Sequence, residues 1–415
     1  MKILVSSINF APDHAGIGVY STDFPAYLAE MGDEVRMVTG FPYYPQWRKR
    51  PEDRGRLFRR DHFRGIEVLR GYLYVPARVS APKRIWHELT FCIFAGVNLL
   101  RAGRHDALVL FAPPYFLGFS GVLWKWIFRR PLVINVQDLP LDAALALGML
   151  REGLVSRIFR RMEGWIYKRA DLVTSISPEM VNTIRAKGVG ADRLALCPNW
   201  IDVAAASAPV ERGRFLAAQV QARDKFTVVY AGNLGVKQGI EVLLHAAKAL
   251  EDMADLHFFV IGDGADKRRL LAIAAALELK NCTFLPFLGT EAYAEMLTDV
   301  DVVFVAQRLG AGNNFMPSKL LGIMAREKAL LVVADLSSEL AHAVADSGCG
   351  LVSAYGNLAG LIANLGILRA MDPVERGRMG ARGLGKVREF DRQRVLGDLR
   401  ARIEALAARR AASPR

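Results

Sequence analysis

Hydrophobic residues along this chain fall into two patterns. Short unbroken blocks of Val, Ile, Leu and Phe suit strands covered on both faces, and between them apolar positions recur at three- and four-residue spacing, as in one-sided helices. The blocks lie at 2–9, 34–39, 107–111, 132–136, 172–175 and 194–196. After an Ala-rich, patternless piece at 203–208 they return at 226–230, 256–261, 282–285, 302–306 and 329–333. Helical spacing fills the intervals and the stretch 373–410. Such alternation predicts parallel sheets wound by helices on both faces. The expected fold is α/β, with two Rossmann-like doubly wound domains, 1–205 and 225–385, joined by a linker near 200–224 and facing across a cleft. Residues 386–415 are expected as a helix packing back towards the N-terminal domain. Ligands of such sheets bind outside the carboxyl ends of the strands, so chemistry is sought in the loops that follow them.

The most telling loop is in YAGNLGVKQGIEVLLHAA at 230–247, where a strand runs into a glycine-bracketed turn and then a helix. Asn233, Gly235, Lys237 and Gly239 lie in the turn, and the free N–H groups of a helix start favour negative charge. A diphosphate fits that arrangement, although a glycine turn is also how any parallel sheet turns a corner. Gly16 and Gly18 follow the first strand in the same way, and Gly262-Asp263-Gly264 follows the strand at 256–261. The first loop is not a dinucleotide fingerprint, because position 21 is Ser21, and NAD binding is disfavoured. The strand at 302–306 leads to a fourth loop, at 310–319, in which Pro317 and Ser318 suit a helix start and Lys319 adds a cation. In the first half, the strand at 132–136 delivers Gln137 and Asp138 to its end. Asp138 there could hold a reacting hydroxyl or cap the following helix. Asp299-Val300-Asp301 looks like a metal-binding D-x-D, but it immediately precedes a strand, and Asp301 reads as punctuation. No His, Asp or Glu cluster has metal-ligand spacing.

Charge changes the picture further. Lys and Arg number 55 against 42 Asp and Glu, for a net charge of +13, and residues 1–200 alone hold 28 basic against 18 acidic residues. Fourteen basic residues between positions 48 and 104, Arg56, Arg59 and Arg60 among them, meet five acidic ones and are interleaved with aromatics such as Tyr43, Tyr44 and Trp47. Such a patch suits an anionic membrane surface, or it is a solvated basic face; no nucleic-acid module accompanies it. The apolar runs 89–100 and 108–124 do not read as membrane spans, since one is short and the other is broken by Pro113-Pro114. Four scattered cysteines and an immediate first strand point to a reducing cytoplasm without a secretory leader. With 52% apolar residues there is ample material for large cores.

Motifs distributed along nearly the whole chain carry a resemblance: GIGVY at 16–20, PYYPQW at 42–47, YVP at 74–76, Gln137-Asp138, PNWID at 198–202, GNLGVKQG at 232–239, IGDG at 261–264 and MPSKLLGIMA at 316–325. The chain resembles the bacterial family 4 glycosyltransferases of the GT-B fold, and within them the colanic-acid-type fucosyltransferase branch. The resemblance implies transfer of a sugar from a nucleotide-sugar, GDP- or UDP-linked and of GDP-fucose type by preference, with retention of configuration and without metal or other cofactor. It places Gly16 and Gly18 against the donor phosphates and acceptor, and Lys237 on the diphosphate. Gly262 and Gly264 would line the nucleotide, with Phe287 beside the base. Asn314, Phe315, Met316, Pro317, Ser318 and Lys319 would hold the sugar.

The chain departs from the family pattern in three places. Asn233 stands where many members carry an arginine paired with the lysine, Asn314 and Gly322 replace the E-x7-E carboxylates, and Gln137 replaces a histidine. Asp138, Lys237 and Lys319 are therefore the expected catalytic residues. The expected acceptor is a polyprenyl-diphosphate-linked saccharide at the inner face of the cytoplasmic membrane. Two alternatives remain at this level: a nucleotide-sugar 2-epimerase of the same fold, and a peripheral membrane protein without catalysis.

Overall fold

The computed structural model describes residues 1–13, 16–44, 46–78, 80–146, 152–309 and 318–412. These form two compact units, Met1–Asn199 with Gln393–Arg415, and Trp200–Arg392. In the first, the order is β1 (Lys2–Ser6), α1 (Ile17–Glu30), β2 (Glu34–Gly40), β3 (Phe58–Phe63), β4 (Ile66–Gly71), α2 (Ala81–Ala102), β5 (Ala107–Ala112), α3 (Leu117–Phe128), β6 (Leu132–Val136), α4 (Pro140–Ala146), α5 (Leu154–Tyr167), β7 (Leu172–Ser175), α6 (Pro178–Ala186) and β8 (Leu194–Leu196). The sheet runs β3-β4-β2-β1-β5-β6-β7-β8 and is parallel except for β3, which returns antiparallel on β4. Every residue of β5 and β6 is buried, as strands covered by helices on both faces require. The chain order reverses between β1 and β5, so the loops leaving these two strands open a crevice at one sheet edge.

The second unit contains α7 (Val203–Ala206), α8 (Arg214–Ala217), β9 (Phe226–Asn233), α9 (Glu241–Ala249), β10 (Leu256–Asp263), α10 (Lys267–Ala276), β11 (Cys282–Leu285), α11 (Thr290–Asp299), β12 (Val302–Ala306), α12 (Ser318–Ala325), β13 (Ala329–Ala334), α13 (Glu339–Ser347), β14 (Gly350–Ala354), α14 (Leu358–Ala370) and α15 (Pro373–Val387). Its sheet, β11-β10-β9-β12-β13-β14, is parallel throughout, with the order reversing between β9 and β12. The helix α16 (Arg392–Ala412) belongs to the first unit from Gln393 onward. There Arg400 donates to both oxygens of the buried Asp33 carboxylate, at 2.7 and 3.1 Å.

Three segments differ from the sequence expectation. The Arg-rich stretch holds the β3–β4 hairpin, which pairs Arg59 with Arg70 and His62 with Glu67, so charged residues occupy strand positions at a sheet edge. The short strand β14, opened by Gly350, was not anticipated. The stretch near 200–224, expected as a linker, folds into α7, α8 and a helical turn at Val220–Ala222 inside the second unit. Asp299 organises this piece, accepting hydrogen bonds from the amides of Phe215 and Leu216 at 2.8 and 3.1 Å and from that of Gly213.

Candidate active site

At the switch point of the second sheet, β9 and β10 end side by side, Gly232 against Gly262 and Asn233 against Asp263. Both glycines have positive φ, 143° and 140°, a region that side chains rarely adopt. A Cβ on Gly262 would lie 1.9 Å from the Gly232 carbonyl oxygen, and one on Gly264 would lie 2.4 Å from that of Leu234. Two strand ends can therefore approach only because these positions lack side chains. The Leu234 amide donates to the Asp263 carbonyl at 2.8 Å, and the Asp266 amide donates to the Leu234 carbonyl at 2.9 Å, closing the pair of turns.

Beyond Asn233 the chain makes a single helical turn, Val236–Gln238, and passes through Gly239 (φ 60°) into α9. A Cβ at Gly239 would meet the Tyr355 ring at 2.7 Å. Lys237 is exposed and makes no ion pair among the described residues, so its ammonium is available to a ligand. Its loop is held from the neighbouring strand end: the Arg308 amide, just past β12, donates to the Lys237 carbonyl at 2.8 Å. The Arg308 guanidinium donates to the Tyr355 hydroxyl at 3.1 Å and to Glu241, in the first turn of α9. Arg269 reaches the other Glu241 oxygen at 2.9 Å. Burial opposes ionisation of Glu241, but hydrogen bonds from its own backbone, Arg308 and Arg269 outweigh it and hold the carboxyl below its usual range.

Lys319, in the first turn of α12, is half-buried with its ammonium 4.0 Å from the centre of the Tyr230 ring. The same ammonium would lie 3.8 Å from a Cβ on Gly232, so Lys319 shares the end of β9. Burial pushes it down from 10.5 to about 7. Phe287, two residues past β11, is 59% exposed. Asn233, Gly262, Gly264, Phe287 and Lys237 thus stand at the carboxyl edge of one sheet, and Lys319 reaches the same edge from α12. Asn314, Phe315, Met316 and Pro317 lie outside the described residues, and Ser318 opens α12.

Sequence reasoning passed over Arg308, Glu241 and Tyr355. Arg308 lies two residues past a strand end, which was the available signal; the contacts with Tyr355 and Glu241 span 47 and 67 positions and leave none. The D-x-D carboxylates have structural partners: Asp299 binds the amides around α8, and Asp301 takes hydrogen bonds from Thr227 and Arg376. No group of three His, Cys, Asp or Glu able to hold a metal occurs among the described residues.

In the first unit, Gly16 (φ 59°) begins α1 and faces open space, while a Cβ on Gly18 would sit 2.6 Å from the Asp13 carbonyl. Asp13, also missed from sequence, is buried beneath this loop and accepts from the Asn9 side chain at 3.2 Å and the Tyr44 amide at 3.4 Å. Its burial outweighs those bonds and raises the carboxyl. Asp138 is exposed past the end of β6, one oxygen accepting from the Leu139 amide at 2.8 Å. The residues assigned to a membrane-facing surface divide. Tyr43 is buried at 6% exposure, and Tyr44 and Trp47 pack half-buried against the same core. Arg59 is an internal cation, paired with Asp53 and with Asp61 at 2.9 Å, whereas Arg56 is exposed and Arg60 pairs with Glu67 at 3.0 Å. The charge surplus of this stretch is thus partly spent inside the fold.

Two α/β units with almost wholly parallel sheets, one of them with a glycine- and lysine-lined strand edge, are the architecture of the glycosyltransferases of GT-B type. Comparison with known proteins agrees with that class. The family described as "Glycosyl transferase 4-like domain" matches residues 15–200, and "Glycosyl transferases group 1" matches 213–366. The chain is 33% identical over 350 residues to "Putative colanic acid biosynthesis glycosyl transferase WcaI" of Escherichia coli (strain K12), covering 82% of this chain and 85% of that one. The chain belongs to the family 4 glycosyltransferases of the GT-B fold. Among solved structures, sucrose-phosphate synthase from Thermosynechococcus elongatus superposes with a TM-score of 0.75 at 17% identity, covering 98% of this chain and 99% of that one. Anabaena Alr3699/HepE, in complex with UDP and glucose, superposes with a TM-score of 0.69 at 14% identity, covering 97% and 99%. Among the described residues no helix is long and apolar enough to cross a membrane.

Proposed function

We infer that this glycosyltransferase extends a surface or exopolysaccharide precursor, moving a sugar from a nucleoside-diphosphate donor to a polyprenyl-diphosphate-linked saccharide, with retention and without a bound metal. The observation that carries the reading is the edge of the second sheet, where paired glycines bare the backbone and two lysines without carboxylate partners among the described residues stand around one strand end. The second unit takes the donor and the first unit the acceptor. Similarity to the colanic acid protein supports the pathway class, and the UDP complex of the Anabaena neighbour supports a nucleotide-sugar donor.

In the transfer, the bond from the anomeric carbon to the donor phosphate oxygen breaks, and a bond to the acceptor oxygen forms on the same face. The acceptor proton passes to the departing phosphate. Lys237, Lys319 and the bared amides stabilise the charge that develops on that leaving group, and Asp138, exposed at the end of β6, orients an acceptor hydroxyl. No step calls on the missing E-x7-E carboxylates. Side-by-side calorimetric titration with GDP and UDP tests the donor assignment. Tight GDP binding fits a fucosyl-type donor, UDP binding fits a hexosyl or N-acetylhexosaminyl donor, and binding of neither overturns the reading. A 2-epimerase would convert the donor with no acceptor present, which distinguishes that alternative.

A further inference from the structure

The outer face of the first unit carries large apolar side chains that its own core does not use. On α2, Trp86, Ile93, Val97 and Leu100 are exposed at a spacing that puts them on one stripe, while Phe91, Ala95, Asn98 and Leu99 of the same helix face inward. On α3 the exposed set is Leu123, Trp126 and Ile127; on α5 it is Leu154, Val155 and Ile158. The three helices lie side by side. Ser120 of α3 donates to the Cys92 carbonyl of α2 at 3.4 Å, and Trp165 of α5 packs against Phe119 and, edge-on, against Trp126 of α3, with ring centres 5.5 and 6.2 Å apart. The stripes therefore join into one surface, of a kind that folded proteins keep only where something covers it.

The charges around this surface say what the cover is. Lys83 lies in the first turn of α2 and Arg104 just past its end, Arg129 follows α3, and Arg157 and Arg161 stand one turn from Leu154 and Ile158. All five are exposed and make no ion pair among the described residues. The acidic residues of the three helices are already engaged: Glu88 with Arg84, and Glu163, inside the unit, with Lys187. Glu152, just before α5, pairs with Arg160. A second copy of the same face would bring like charges together with no acidic partner, whereas an anionic bilayer offers phosphates to the cations and an acyl boundary to the tryptophans.

We propose that α2, α3 and α5 form a monotopic membrane-docking face that inserts Trp86, Trp126 and their aliphatic neighbours into the headgroup region of an anionic bilayer. The proposal rests on the lipid-linked acceptor reading and adds to it the surface that meets the lipid. That surface differs from the Arg56–Arg60 region favoured by the sequence, where Arg59 is internally paired and Arg60 bonds Glu67.

The test uses the full chain and vesicles of phosphatidylglycerol with phosphatidylcholine. Ile93→Glu combined with Trp126→Gln should lower vesicle partitioning at least about tenfold, as should Leu154→Glu with Ile158→Glu, while melting temperature and nucleotide binding stay at the parent level. Arg56→Glu with Arg60→Glu should leave partitioning within about twofold. In the parent, lipids carrying a quencher near the headgroup should dim tryptophan fluorescence. Parent-like partitioning of both apolar-face variants, or no partitioning of the parent, overturns the proposal. A dimer of the parent that the same substitutions dissolve also overturns it, because the face would then meet a second copy. Failure of the functional reading is seen separately, as vesicle binding without GDP or UDP binding.

Discussion

Gly262→Ala isolates the physical basis of the donor site. The added methyl would start 1.9 Å from the Gly232 carbonyl oxygen, a backbone atom with no rotamer to change, so the ends of β9 and β10 must separate by about 1 Å. The position also has φ 140°, which costs a residue with a side chain about 1 to 3 kcal/mol. Separation would strain the hydrogen bonds from Leu234 to Asp263 and from Asp266 to Leu234, each contributing about 1 kcal/mol. The expected loss is about 3 to 5 kcal/mol in the second unit, which for a unit of this size lowers its melting transition by about 10 °C. Calorimetry should show that transition moving while the one assigned to the first unit stays. Nucleoside-diphosphate affinity should fall at least about tenfold, because the bared amides no longer converge. Gly377→Ala is the control: it lies exposed inside α15 with no atom within 4 Å of the added Cβ, so stability should hold or rise by up to about 1 kcal/mol. If Gly262→Ala melts within about 2 °C of the parent and binds nucleotide within about twofold, the close approach is not what builds the site.

Lys319, held near 7 by burial, is charged below that pH and neutral above it in the free protein, while a bound diphosphate favours the charged form. Nucleotide binding should therefore take up a proton above pH 7 and weaken with rising pH by up to about tenfold per unit; titrations in buffers of different ionisation enthalpy measure it, and Lys319→Met should abolish it. Because the folded pKa lies below the unfolded one, stability of the second unit should rise between pH 7 and the usual lysine range. Lys237→Ala should reduce kcat by about a hundredfold or more with a smaller change in donor affinity; unchanged turnover would remove its leaving-group role. Arg308→Ala removes the guanidinium that ties Glu241 to Tyr355 and leaves Arg269 as the remaining cation on Glu241, while the backbone bond to the Lys237 carbonyl stays; the start of α9 behind the Lys237 loop should loosen and KM for the donor should rise by about tenfold, with Arg308→Lys restoring little because one ammonium cannot reproduce a guanidinium's separated donors.

What could be read from the sequence follows from how local the causes are. Strands such as Val302–Ala306 are apolar throughout because both faces are buried, and that pattern survives in the sequence unaided. β3 is an edge strand with Arg59, Arg60, Asp61 and His62 in a row, so hydrophobic alternation says nothing about it and only pairing with β4 makes it a strand. Glycine loops were legible because a tight strand-to-helix turn writes glycine locally. The Arg308, Glu241 and Tyr355 cluster joins three distant segments, and each residue alone is unremarkable. Net charge likewise counts Arg59 and Arg70 as surface cations, although Asp61 binds both inside the first unit.

The return of α16 has a consequence for the order in which this protein can be made. Residues 200–392 form one uninterrupted segment, whereas the first unit is built from two segments that the whole of the second separates along the chain. The first unit, begun earlier, waits for α16, and until Arg400 emerges the Asp33 carboxylate lacks its guanidinium partner. The amino-terminal unit is therefore expected to be the last to mature, and loss of α16 would be felt at Asp33, against the Met1 amine and just ahead of β2.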